Sequence, residues 1–332
     1  MKNGISRFDH YLTLLQALLD KAAKQKNPAL WLYQNNARTP LFMLEALAKL
    51  YAGIHNKKKF GKLKEQFKVL EDMLGAIDYY DCFAKEFAAN KQIPATLTTY
   101  IQAQSREKIQ SLNETLKEKE WIAEGKSRIE KIRKKLSKAD WQKEKEETTG
   151  IYNFYVLTIK EMLNFINQKN FHFENVEADV HELRRKLRWL SIYPQALRGC
   201  IQLSKAKTTP KYLAKYLTKE ITGSAYNIMP DAADHKHFLL LEKNHFYALS
   251  WMIAELGKLK DTGLRVVVVE EALLQTTNAR EKEALKKAYQ LLGSGQSTLQ
   301  QLLDKAEELC RVYFKEKNLE QLVTGTATIY QK

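Results

Sequence analysis

The run Arg265-Val-Val-Val-Val-Glu270 decides the fold class of this chain. Four consecutive valines, each stiff at χ1, suit a pleated strand better than a helix on propensity alone. Taken as a strand, they make the protein mixed α/β. A buried strand needs a neighbour for its backbone N–H and C=O groups, and only residues 151–159 lean the same way. Nearly every other segment has helical period, with apolar residues three and four apart. The run also follows directly on the second copy of a repeated helical pattern, described below. Residues 265–270 are therefore expected to be helical, and the fold all-α.

Composition agrees with that reading. The chain has 13 Gly and 6 Pro in 332 residues, few turn signals, which favours long helices with short connections. With 44% hydrophobic and 28% charged residues, it has the material for a core and lacks a disordered composition. Lys and Arg outnumber Asp and Glu by 54 to 39, a formal net charge of +15. A field of that sign attracts polyanions: nucleic acid, an anionic membrane surface or polyphosphate. Cys82, Cys200 and Cys310 are odd in number and far apart, as expected of unpaired thiols in a reducing compartment. Phe8, Tyr11, Leu12, Leu15, Leu18 and Leu19 have helical spacing in a run too short and too charged for a signal or a membrane span. A cytoplasmic protein with no membrane segment is expected.

Helices are expected over residues 6–24, 41–54, 63–87, 94–121, 176–197, 237–260, 278–291 and 297–317, with a basic helical segment at 126–138. Lys57-Lys58-Lys59 is assigned to the C-terminal end of the 41–54 helix, where the macrodipole favours cations. The stretch 139–149 is charge-dense and poor in apolar residues, and Gly150 follows it. It divides the chain into halves of 1–145 and 146–332, which together form one domain. Residues 199–209 read as a basic connection, 222–234 as a long loop, and Pro210 opens a short helix bearing Lys211 and Lys215. Pro194 kinks or stops the 176–197 helix near its end.

That helix carries the chemistry. On Ala178-Asp-Val-His-Glu-Leu-Arg-Arg-Lys-Leu-Arg-Trp-Leu190, His181, Arg184, Arg185 and Arg188 fall within an arc of about 100°. Leu183, Leu187 and Leu190 fall opposite, and Glu182 lies off the arc, so the basic row has no carboxylate within it. Arginine presents forked, permanently charged donors suited to phosphate oxygens.

Two segments repeat. Residues 70–81 and 252–263 each place an apolar helix before Leu-Gly, as Leu74-Gly75 and Leu256-Gly257, with Asp a turn or two later. A Gly inside a helix costs about 1 kcal/mol, so close backbone approach is expected at both. This spacing predicts two related helical bundles, an internal duplication packed about a pseudo-twofold axis.

With these motifs the chain resembles the CHAD family of all-helical domains, whose pattern is His-x-x-Arg-x-x-x-Arg followed by Leu-Gly-x-x-x-Asp, given twice. His181, Arg184 and Arg188 match the first element, and Leu256-Gly257 to Asp261 the second. In the first half, Lys68 through Leu74-Gly75 and Asp81 match the second element. The resemblance implies a non-enzymatic binder of inorganic polyphosphate, with basic residues lining a groove between the bundles. Carried over by residue, the candidates are His181, Arg184, Arg185, Arg188 and Lys68, with Arg38 from the first half and Lys211 and Lys215 assisting. The first half departs from the pattern: residues 37–47 have no His, Ser250 stands at the counterpart of Lys68, and Asp78-Tyr79 replaces the usual Arg-Asp.

Other constellations are weaker. Asp231, Asp234, His235 and His237 hold carboxylates and imidazoles, but Lys236 between the histidines disfavours a metal, and Asp234 fits a helix cap. Glu65, Glu71, Asp72 and His55 have the spacing of plain helix surface, and no nucleophile–base arrangement stands out. No enzyme activity, metal or cofactor is expected. Nucleic acid is the main alternative partner, with 126–138 supplying charge and Trp121, Trp141, Tyr152 and Tyr155 supplying stacking surfaces. A helical scaffold for another protein is the third reading.

Overall fold

The structure, a computed structural model, describes residues 3–122, 128–204, 208–232, 235–293 and 295–328. The chain is mostly helical. In order come α1 (Asn3–Ala22), α2 (Pro28–Gln34), α3 (Arg38–Ile54), α4 (Lys57–Ala88), α5 (Ala95–Glu118), α6 (Arg128–Ser137) and α7 (Glu144–Gln168). A π-helical turn, Val176–His181, leads into α8 (Glu182–Ala196), followed by β1 (Ile201–Ser204), α9 (Lys219–Thr222) and β2 (His237–Glu242). The chain ends with α10 (Lys243–Thr276), α11 (Glu281–Leu292), α12 (Leu299–Lys315) and β3 (Val323–Thr328). No described helix is long and apolar enough to cross a membrane. The three cysteines are free, with Cys200 and Cys310 buried and Cys82 exposed.

The large core takes buried residues from α1, α3, α4, α7, α8, α10 and α12 together. The stretch 139–149 takes part in it. Trp141 packs against Phe8, Tyr51 and Phe60, and α7 begins at Glu144. Glu147 accepts from Arg7 Nη1 of α1 at 2.8 Å and from the Tyr51 hydroxyl of α3 at 2.6 Å, with all three side chains buried. Arg7 Nε also donates to the Leu197 carbonyl just beyond α8, at 3.0 Å. Residues on both sides of the stretch are thereby tied through one buried ion pair.

Pro194 does not stop α8, which runs on to Ala196. Proline has no N–H to give the carbonyl four residues back, here that of Leu190. The Tyr155 hydroxyl of α7 donates to that carbonyl at 3.0 Å inside the core. The helix survives its proline because a neighbour supplies the missing donor.

A second core lies at the far ends of the two longest helices. Phe83 and Phe87 of α4, Leu97 and Ile101 of α5, and Ala284 and Ala288 of α11 enclose Val266, Val268, Val269 and Leu273 of α10. The valine run is thus helical. Its β propensity is overridden because α10 packs here against three other helices, α4, α5 and α11, and buries three of the four side chains. Only Val267 is exposed, at 36%.

The sheet was not foreseen. Its order is β1-β2-β3, with β1 parallel and β3 antiparallel to β2. Residues 237–242, expected to begin a helix, form a strand that buries Phe238, Leu239 and Leu241, with a register shift at Leu240/Leu241. The helix starts only at Lys243, because the Glu242 side chain accepts from His245 N at 2.7 Å as its cap. Ile201–Ser204, read as connection, is the parallel partner. Gly199, at φ +95, makes the turn from α8 into β1; a Cβ there would lie 2.1 Å from the Asp231 carbonyl oxygen. Two other expectations shift: Lys57-Lys58-Lys59 opens α4 rather than closing α3, and Lys211–Tyr216 is a 3-10 turn. The cap expected at Asp234 falls outside the described residues.

Candidate functional site

A groove of about 1020 Å³ runs between α3 and α4 on one side and α8 and α10 on the other. Six of the expected side chains line it: Arg38, Lys68, His181, Arg184, Arg185 and Arg188. Lys211 and Lys215 do not. Both sit on the 3-10 turn, where the Lys215 ammonium pairs with Glu316 Oε1 at 2.5 Å. Sequence had no means of showing that this turn packs away from the groove.

The two glycines of the repeated motif are where helices meet arginines. A Cβ on Gly75 would lie 3.0 Å from Arg38 Nη2, and one on Gly257 would lie 3.0 Å from Arg184 Nε. Each helix therefore lacks a side chain where an arginine of the neighbouring helix crosses it. Arg184 Nε also donates to the Ile253 carbonyl at 3.2 Å, which fixes its stem against α10.

The two arginines differ in charge environment. Arg38 donates to Glu71 Oε1 from Nε at 3.0 Å and from Nη2 at 2.6 Å, and its Nη1 reaches Asp78 at 2.9 Å. Arg184 and Arg188 have no carboxylate within ion-pair distance among the described residues. Burial pushes both guanidinium pKa values down from their ordinary value; at Arg188 the neighbouring Arg184 and Arg38 add to it. Guanidinium stays charged nonetheless. Arg188 stacks over the Phe42 ring at 4.4 Å, and Arg38 lies 5.3 Å from the same ring. Phe42 is thus a platform shared by one paired and one unpaired guanidinium.

Of the remaining candidates, the two charged ones, Lys68 and Arg185, are compensated. Lys68 pairs with Asp72, Arg185 with Glu182 at 2.7 Å, and His181 Nδ1 lies 3.5 Å from Glu177. Burial first, offset by Glu177 and reinforced by Lys260 and the arginines, lowers the His181 pKa, so the imidazole is neutral at pH 7. Ten lysines and arginines line the groove against eight acidic residues. The arginine row along α8 shares the groove with carboxylates of α4 and of the π turn, and its Arg185 pairs with Glu182 of α8 itself.

Sequence reasoning missed the groove's α3 wall. Glu45 and Lys49 are one turn apart there. Burial, then Glu71, pushes the Glu45 carboxyl up to about 7. Burial, then Lys186, pushes Lys49 down to about 8, and its ammonium sits 4.8 Å over the Trp189 ring. The available signal was two charged residues at i, i+4 inside the apolar run 41–54.

Among the described residues, no group of three or more potential metal ligands converges. No protein-family model, curated protein or solved structure matches the chain.

Proposed function

We propose that the groove binds inorganic polyphosphate without acting on it chemically. The observation that carries this reading is the pair Arg184 and Arg188, two half-buried guanidiniums on the groove wall with no carboxylate within ion-pair distance among the described residues, Arg188 lying near both Arg184 and Arg38. Holding like charges together in partly desolvated surroundings is unfavourable for the empty protein, and a polyanion relieves it. Guanidinium forks match phosphate oxygens two at a time. The resemblance to CHAD proteins through His181, Arg184, Arg188 and the two Leu-Gly helices supports the same partner. The α3–α4 wall contributes less, because a ligand must displace Glu71 and Asp78 from Arg38 and Asp72 from Lys68.

The nucleic-acid reading keeps only one of its four stacking residues near the surface: Trp121, Trp141 and Tyr155 are buried at 3%, 5% and 0% exposure, and Tyr152 is half-buried. A titration of long-chain polyphosphate, single-stranded DNA and RNA at several salt concentrations tests the proposal. Polyphosphate is expected to bind most tightly, with affinity falling as salt rises. Arg184→Ala with Arg188→Ala is expected to weaken binding by at least about tenfold, and Lys131→Ala with Lys134→Ala on α6 by far less. Equal losses from both pairs would reduce the attraction to diffuse net charge.

A further inference from the structure

A smaller cavity of about 410 Å³ lies where α4 begins, lined by Asn56, Lys58, Lys59, Lys62, Gln66 and Lys135, with Leu63 beneath them. It is on the other side of α4 from the groove. Lys62 and Gln66 stand two positions before the groove's Lys64 and Lys68, and two positions are about 200° around a helix. The two sites also differ in balance. Acids nearly match bases in the groove, whereas four ammonium groups line this cavity and no carboxylate does. None of the four pairs with an acid within ion-pair distance among the described residues, although Lys64, Lys68 and Lys131 nearby all do.

The lysines converge from two helices, three from α4 and Lys135 from the last turn of α6. Lys58 and Lys59 also sit against the macrodipole of α4: the first turn of this 32-residue helix contains no acid, and cations there are unfavourable. Repulsion within the cluster and repulsion from the helix end both fall when an anion occupies the cavity. The lining holds no aromatic ring, so nothing in it stacks on a base or a sugar. The Asn56 and Gln66 amides add neutral hydrogen-bonding groups at the edge; Asn56 Oδ1 is already occupied by Lys59 N at 2.8 Å. Ammonium groups on flexible stems act as point charges and suit several phosphates at once rather than one fixed planar partner.

We propose that this cavity is a second anion site, separate from the groove, which takes a compact small molecule bearing several phosphate groups and reads the phosphates rather than the organic part. The size favours a compact ligand over a long chain, since pockets for single small molecules begin at roughly 300 Å³. This inference stands independently of polyphosphate binding in the groove.

Calorimetric titration of the full chain with inositol hexakisphosphate and with ATP, beside adenosine as control, tests it. Both phosphate compounds are expected to bind saturably and adenosine not at all. Lys58→Ala with Lys62→Ala is expected to weaken that binding about tenfold. Lys135→Ala, on the other helix, should shift it in the same direction and guards against a folding defect in α4. The same binding event should persist in the Arg184→Ala, Arg188→Ala protein, which separates it from the groove. Absence of saturable binding, adenosine binding as tightly as ATP, or affinity unchanged in both lysine variants would overturn the proposal.

Discussion

Tyr155→Phe is a test of how α8 keeps its shape under the basic row. The variant removes the hydroxyl that donates to the Leu190 carbonyl at 3.0 Å and leaves that acceptor buried, since Leu190 and Tyr155 are both at 0% exposure. A buried acceptor stripped of its partner costs about 1–3 kcal/mol. Pro194 is the reason no backbone donor steps in, so the cost is conditional on the proline. In a Pro194→Ala background the Ala N–H reaches the same carbonyl. There Tyr155→Phe is expected to cost only about 0.5 kcal/mol, a coupling of about 1–2 kcal/mol. Urea unfolding followed by far-ultraviolet circular dichroism on the four proteins measures the cycle. Equal costs in the two backgrounds would show that the tyrosine stabilises α8 by packing alone, and the hydrogen-bond account would be wrong.

Polyanion binding should strengthen as pH falls from about 8.5 to about 6, because Lys49 gains a proton near its value of about 8 and Glu45 near its value of about 7; Glu45→Gln should flatten the lower step, and a binding curve without slope over this range refutes the assignment. The raised Glu45 value also means stability is lost as pH rises through about 7, so Glu45→Gln should melt higher than the parent at pH 8 and equally near pH 4, as calorimetry can check. Gly257→Ala should leave unfolding free energy nearly unchanged, the helix gain of about 1 kcal/mol offsetting the contact 3.0 Å from Arg184, yet weaken polyphosphate binding by displacing that guanidinium. Gly75→Ala, acting on the already paired Arg38, should affect binding less in the same titration. Arg7→Met should destabilise by about 3–5 kcal/mol in denaturant titration, because it leaves Glu147 charged, buried and unpaired.

Much of the fold was legible because helical period is local. The all-α expectation held even through the valine run, where the absence of a plausible partner strand outweighed propensity. It failed at residues 237–242 for the complementary reason. The partners of β2 were a four-residue strand in an apparent connection and a terminal strand of small residues, Val323–Thr328, neither of which has a strong signal of its own. The repeated Leu-Gly pairs announced close approach, and Gly75 and Gly257 do receive Arg38 and Arg184.

The sequence by itself determined which helix faces are apolar, which side chains share an arc, and that His181, Arg184, Arg185 and Arg188 point one way. Those properties follow from 100° of rotation per residue and need no third dimension. Tertiary structure alone decided which of these charges meet a carboxylate from another helix and which meet none. Arg38 of α3 meets Glu71 and Asp78 of α4, Lys68 and Arg185 pair only within their own helices, and Arg184 and Arg188 meet no carboxylate at ion-pair distance among the described residues, while three lysines at the start of α4 and Lys135 of α6 share a cavity with no acid. Charge pairing acts through space over a few ångströms, between helices whose distance along the chain carries no information about their distance in the fold.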